Sequence, residues 1–414
     1  MTGLSSPLPV ASVARRGRRP EDGRRQNREA VMGLLRRQAL GRAELARALG
    51  LSKTALGDLI GGLLDEGLLE ERGERESPGE RGRRPAPLHV QARRAAVIGV
   101  DLSATSFEFG SYDLLGEPLQ LSRLPSERGR GQAAVYRQIV RGVRAALGQA
   151  RALGLPVAAV GIAAPGPLDA ASGTILAPPS FPDLHHLAVT ARLEEELGLP
   201  VRLERNTTAA ATAHLRRSDR DLRNFVYLLL MDQGIGAGLV IDRQVYRGTH
   251  GYAGEFGHVS LDVSGPPCPC GNHGCLERVA DVDATEQAYA RHGEALGHAA
   301  IVARAQAGEA LAQEVLDTAG QALGRAAVSL VNLLDPQALI LGGVGAQAAP
   351  FLLPALRREL GARAYPFLSW GEHLDLRVCD LPNPSGQGAA ECVLNAIYRG
   401  DIGLPSARPE LTPA

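Results

Sequence analysis

The chain has no apolar run approaching the roughly 18 residues that a membrane helix needs; its longest lies around Phe225–Met231. A helical membrane span is therefore excluded. Signal-peptide order is missing too. The short, mildly apolar N-terminal stretch precedes its arginines instead of following them, so the chain is expected to be cytoplasmic. Lysine is nearly absent: Lys53 is the only one, a bias that reflects genome composition more than chemistry. Net charge is lacking as well, since 45 Lys+Arg meet 45 Asp+Glu. Cysteines are few, five in all, yet three fall within residues 268–275. In a compartment that keeps thiols reduced, such clustering favours metal over disulfides.

What is present suffices for a large fold. With 414 residues and 44% hydrophobic content, two or three domains with buried cores are expected. Charge is uneven: residues 1–94 hold 19 Lys+Arg against 12 Asp+Glu, so the remainder is acidic. A basic leading part on an acidic body suggests a polyanionic partner for the first part only.

Residues 1–22 lack periodicity and are expected to be a disordered basic tail. From Asn27, Val31, Leu34 and Leu35 recur at helical spacing. Leu45, Ala46 and Leu49 then line a short helix, Gly50 supplies a tight turn, and Ser52 suits an N-cap. Leu56, Leu59, Ile60, Leu63 and Leu64 make a second amphipathic helix. Gly57, Gly61 and Gly62 each weaken that helix by roughly 1 kcal/mol relative to alanine, so it must lean on packing. Two short helices around a glycine turn predict a helix-turn-helix, and "EGLLEERG" with "RGRRPAPLHV" predicts a β-wing. Residues 23–92 are accordingly read as a winged helix-turn-helix that binds double-stranded operator DNA. Ser52, Lys53, Thr54 and Asp58 would face the major groove, and Arg81, Arg83 and Arg84 would reach phosphates or the minor groove.

From Ala95 short buried strands alternate with helices: "AAVIGVD", then "SFEFGSYDLLGEPLQLSRLP", which reads as a meander, a helix near 132–153, "VAAVGIA", "VRLE", and a helix from Thr207. The scheme restarts at Asn224 with "FVYLLLM", the turn "DQGIGAG", "GLVID", long helices across 281–334, "ALIL", and a final helix from Gln387. This pattern predicts an α/β fold with mostly parallel sheets in two lobes, residues 95–217 and 218–414, around a cleft.

One stretch stands out: Glu255, Gly257 and His258, followed by Cys268, Cys270, Gly271, Gly274, Cys275 and Glu277. Together with "GLSKTAL" and "GRRP", it resembles the repressor branch of the ROK family (repressors, open reading frames and sugar kinases) over roughly 27–398. The resemblance implies a winged helix-turn-helix followed by a two-lobe body of the actin/hexokinase type. It further implies that Glu255, His258 and Glu277 line a sugar pocket. The expected protein is a sugar-responsive repressor of carbohydrate uptake or catabolism genes. It would act as a homodimer or homotetramer on an inverted repeat, with a sugar or sugar phosphate as effector.

Three thiolates and an imidazole suit a structural, tetrahedral Zn²⁺ held by His258, Cys268, Cys270 and Cys275, with no open position for water. A Cys268–Cys270 disulfide and a catalytic thiol are weaker readings, and His273 is a rival ligand within the loop. The kinases that the chain resembles carry their catalytic base as the aspartate of a Glu-Asn-Asp-Ala-Asn-Ala-Ala-Ala pattern. Here Glu204, Arg205, Asn206 and Thr207 occupy its start, so an amide stands at the base position. Arg205 replaces an asparagine that contacts sugar, which points toward an anionic sugar derivative. The kinases' Asp-x-Gly-Gly-Thr-Lys is here "DLSATS", without the glycines that let backbone approach phosphate. No catalytic residue is expected, and an ATP-dependent sugar kinase with an accessory DNA-binding module is the rival reading.

Overall fold

The structure, a computed structural model, describes residues 20–72, 86–365 and 374–405. Residues 1–19 of the expected tail, and Arg81, Arg83 and Arg84 of the expected wing tip, lie outside the described residues. The described residues fall into two compact units, the residues up to 91 with 397–401, and those from 92 to 396 with 402–405.

In the first unit α1 (Pro20–Leu35), α2 (Arg42–Leu49) and α3 (Lys53–Asp65) precede β1 (Leu69–Glu71) and β2 (Leu88–Val90). The two strands pair antiparallel, Leu69 opposite Val90, and Leu40 makes a further bridge to Leu88. Helix α1 starts at Pro20, earlier than the apolar periodicity from Asn27 suggested, because its first turns are polar. Between α2 and α3, Gly50 adopts a left-handed φ of 64° that a side chain would strain, and its N–H returns to Ala46 O. Ser52 caps α3 by accepting the Ala55 N–H at 3.2 Å. Helix α3 buries Leu56, Leu59, Ile60 and Leu63. Each contributes roughly 1.5–3 kcal/mol, which outweighs the roughly 1 kcal/mol cost of each helical glycine. Arg28, 8% exposed, clamps Glu66 with two 2.6 Å bonds and donates to Tyr398 O at 3.0 Å. Residues 397–401 are thereby part of this unit.

The second unit starts with β3 (Ala96–Leu102), β4 (Ser106–Asp113), β5 (Pro118–Pro125), α4 (Gln132–Ala152) and β6 (Val157–Ala164). A short pair β7 (Leu168–Asp169) and β8 (Thr174–Ile175), then α5 (Val189–Leu197), β9 (Val201–Arg205) and α6 (Asn206–Arg217), complete its first half. The second half contains β10 (Phe225–Leu230), β11 (Ile235–Ile241) and β12 (Gln244–Tyr246). It continues with α7 (Glu277–Ala280), α8 (Val282–Ala290), α9 (His298–Gln306) and α10 (Ala310–Leu334). Strand β13 (Ala338–Gly343), α11 (Gly345–Arg363), β14 (Asp375–Val378) and α12 (Pro384–Arg399) follow.

The two sheets have the same order, β5-β4-β3-β6-β9 and β12-β11-β10-β13-β14. Each is half antiparallel, so the expectation of mostly parallel sheets is corrected, while the meander read after the first strand is present as β3–β4–β5 and β10–β11–β12 forms a second. Their connecting turns are too short for the crossover that parallel pairing demands. Only β3–β6–β9 and β10–β13–β14 are parallel. Helix α12 packs on the first sheet, not in the second lobe to which its position after residue 218 assigned it. At Gly161 of β6 a Cβ would lie 1.9 Å from Ala389 O of α12, so only glycine permits that approach. Among the described residues no helix is long and apolar enough to cross a membrane.

Candidate functional site

The cysteine loop folds as a small hairpin. Ser260 bridges Cys275, Pro267 bridges His273, and Cys268 N–H reaches Asn272 O at 2.8 Å. This brings the ligand atoms of His258, Cys268, Cys270 and Cys275 within 4.8 Å of one another, a set that could hold a metal ion. Cys270 and Cys275 sulfurs stand 3.7 Å apart, as do Cys268 Sγ and His258 Nδ1. Tetrahedral ligation with ~2.3 Å metal–sulfur bonds gives an edge of roughly 3.8 Å, so the donors fit such an ion. Burial is the main influence on the Cys268 and Cys275 thiols and pushes both up; a bound cation reverses this by favouring thiolate. The His273 ring is exposed and outside the cluster. Cys379 and Cys392 lie elsewhere, the first in the core.

The same loop presents Glu277 and His258 to a hollow of about 200 Å³. Its other walls are the turn after β6 (Pro165, Gly166), the β9–α6 junction (Arg205, Asn206, Thr207), and the β10–β11 turn from Gln233. Glu277 Oε1 lies 3.0 Å from Cys268 Sγ and 3.5 Å from His258 Nδ1. On its other side His258 Nε2 stands 4.0 Å from Glu255 Oε2. One imidazole thus faces the thiol cluster and the pocket together.

Arg205, which the sequence suggests as a receiver of an anion, already has partners within the protein. Its guanidinium is 5% exposed, contacts Glu255 Oε1 at 2.9 Å, and donates to Gly251 O at 3.1 Å and Ala253 O at 2.8 Å. The neighbouring Glu204 accepts from Arg247 at 2.6 and 2.8 Å, so two arginine–carboxylate pairs join the end of β9 to residues 247–255. Asn206 opens α6. Its Nδ2 donates to Met231 Sδ at 2.8 Å and its Oδ1 accepts the Thr207 N–H at 2.8 Å, so it offers no proton acceptor with a carboxylate's basicity. Sequence reasoning missed Arg247, for which no local signal exists. It also missed Asp281, whose carboxylate caps α8 by accepting the Ala284 N–H at 2.8 Å; the N-cap pattern could have revealed it.

The β3–β4 turn, which the kinase resemblance would place at nucleotide phosphate, is closed on itself. Ser103 Oγ donates to Ser106 O at 2.8 Å and takes the Ser106 N–H at 3.2 Å. Thr105 donates its hydroxyl to the Asp232 carboxylate in the β10–β11 turn. Beneath lies Asp101, pushed up to about 8 by burial, with the nearby Glu108 and Asp232 charges adding to the shift. A larger hollow of about 630 Å³ lies beside Tyr112, His214 and Asn383, with its Arg217 and Arg377 paired with Glu117 and Asp375. On α3, Lys53, Thr54 and Asp58 are exposed opposite the buried leucines, whereas the Ser52 hydroxyl is engaged as the cap.

Residues 97–394 match the model of the ROK family. The chain is 27% identical over 379 residues to the putative xylose repressor of Caldicellulosiruptor sp. (strain Rt8B.4), covering 88% of this chain and 92% of that protein. A solved ROK family transcriptional regulator, described as a homologue of the E. coli Mlc protein, superposes with a TM-score of 0.78 at 26% identity. That match covers 91% of this chain and 97% of the other. A ROK family glucokinase from Streptomyces griseus, solved with glucose and AMPPNP, gives a TM-score of 0.64 at 25% identity over 72% of this chain and 99% of its own.

Proposed function

Because the chain belongs to the ROK family, we propose that it is a sugar-responsive transcriptional repressor of carbohydrate uptake or catabolism genes. One observation carries this: a helical unit with a β-hairpin is joined to a sugar-kinase-like body whose base position holds Asn206, already bonded to Met231 and Thr207. The likeness to the putative xylose repressor covers 88% of the chain, whereas that to the glucokinase covers 72%.

The first unit serves as a winged helix-turn-helix. Helix α3 enters the major groove with Lys53, Thr54 and Asp58, and Ser52 sets its start. Arg81, Arg83 and Arg84 supply phosphate or minor-groove contacts. A homodimer or homotetramer in the cytoplasm reads an inverted repeat with half-sites about 34–36 Å apart. In the body, Glu255, His258 and Glu277 take the hydroxyls of a monosaccharide, beside Arg205 and Asn206. His258, Cys268, Cys270 and Cys275 hold a structural Zn²⁺ that keeps the loop folded. This chain's residues then orient the sugar without turning it over. At the position where the kinases carry their aspartate base this chain has Asn206, an amide that cannot take the proton, and Thr105 bonds the Asp232 carboxylate across the turn that would face phosphate.

Fluorescence anisotropy with DNA from the protein's own upstream region tests the reading. A cognate sugar, with D-xylose the first candidate, is expected to change DNA affinity by about 5–150-fold. Lys53→Ala is expected to lower DNA affinity while sugar binding stays intact. Equal DNA affinity with and without every sugar tried would count against the proposal, as would ATP-dependent phosphorylation of any hexose or pentose.

A further inference from the structure

We propose that Arg205 sets the effector class: with its charge cancelled by Glu255, the pocket takes an uncharged monosaccharide and turns away a phosphorylated one. This rests on the effector-binding reading above and narrows it.

An arginine at the mouth of a pocket ordinarily attracts anions. This one is already committed. Of its five N–H donors, two reach Gly251 O and Ala253 O, and a third faces Glu255 Oε1 at 2.9 Å. A phosphate would have to displace a charge-assisted carboxylate contact from a side chain only 5% exposed. Around it the wall carries Glu277, Asp281 and Asp283 against Arg278 alone, so an incoming anion meets acidic neighbours. The hollow of about 200 Å³ leaves room for a single sugar ring.

Arg205 is a positioning residue for Glu255. Oε1 is bound to the guanidinium, while Oε2, on a carboxylate 43% exposed, remains directed toward His258 Nε2 at 4.0 Å. That oxygen accepts a sugar hydroxyl, and the fixed orientation of the carboxylate selects which one.

Isothermal titration of the full-length protein with D-xylose, D-glucose, N-acetyl-D-glucosamine and the 6-phosphates of the last two tests this. The wild type is expected to bind at least one neutral sugar about tenfold or more tighter than either phosphate, the scale of one charge-assisted hydrogen bond. Glu255→Gln is isosteric at an accessible position and releases the Arg205 charge. It is expected to weaken the neutral sugar about tenfold while strengthening a sugar phosphate by a similar factor. Adding Arg205→Asn to Glu255→Gln is expected to abolish that gain, and thermal melts of each variant report whether it folds. Wild-type affinity for a phosphate equal to or above that for the neutral sugars overturns the proposal. So does a parallel loss of both classes in Glu255→Gln, since a merely structural role moves them together. Binding of no sugar in either class overturns the effector reading as well, whereas neutral-sugar binding with selectivity unmoved by either substitution sinks the Arg205 assignment alone.

Discussion

Asp101 shows at the scale of one residue how burial sets the charge of the cleft. Burial at the end of β3, then the Glu108 and Asp232 charges, push its carboxyl up to about 8 from 3.8, and Arg123 opposes them. The folded state therefore holds the proton more tightly than the unfolded chain. This group's contribution to stability falls as pH rises from about 4 to about 8, and is constant above. Asp101→Asn removes that penalty. The variant is expected to be more stable by about 2 kcal/mol at pH 8, allowing for the carboxylate's partial accessibility, with the gain vanishing near pH 4. Thermal denaturation from pH 4 to 9 measures it, and a gain independent of pH would contradict the assignment. Arg205 makes the complementary point. Its position in the pocket was legible from the sequence, but its partners were not, because Gly251 and Ala253 lie 46 and 48 residues further along the chain.

Among the elements, the loop from Cys268 to Cys275 has little apolar material of its own, and its thiols and His258 form a cluster that could hold a metal ion. Cys275 is fully buried and would be a central ligand. Cys275→Ser is expected to release the bound metal and cost several kcal/mol of stability, less than the ~10–16 kcal/mol of zinc peptides because the surrounding fold supports the loop. Metal analysis of the purified protein together with thermal melts checks this; a wild type without stoichiometric metal would refute it. This loop was readable in advance since its ligands are close in sequence. The sheets were less so. Hydrophobic runs such as those of β6 and β10 mark buried strands in either pairing direction. Direction was settled by connection length, and the β3–β4 and β10–β11 turns are short. Likewise the polar opening of α1 carried no periodicity, and its helical start at Pro20 escaped sequence reasoning.

For the whole molecule, the proposed activity is a coupling free energy between DNA and sugar, so it must act both ways. If a sugar weakens DNA binding by a given factor, saturating DNA must weaken the same sugar by that factor. Titrating sugar into the protein with and without operator is expected to return matching factors within error. A sugar affinity indifferent to DNA, beside a DNA affinity that responds to sugar, would show that the response is not an equilibrium coupling of these two sites. Both sheets of the body share one strand order, which places the pocket where β9–α6 of the first half meets the β10–β11 turn of the second.

By itself the sequence determined the elements whose signals are local: the apolar stripe of α3 with its Ser52 cap, and the thiol and imidazole set around Cys268. Only the tertiary structure decided that Arg205 is paired with Glu255, that the second sheet repeats the first sheet's half-antiparallel order, and that α12 lies on the first sheet while residues 397–401 join the leading unit. The physical reason is range. Periodicity and capping are set by residues within a few positions of one another, whereas charge cancellation and close packing depend on groups that only folding brings together, as with Arg28 and Tyr398, 370 positions apart.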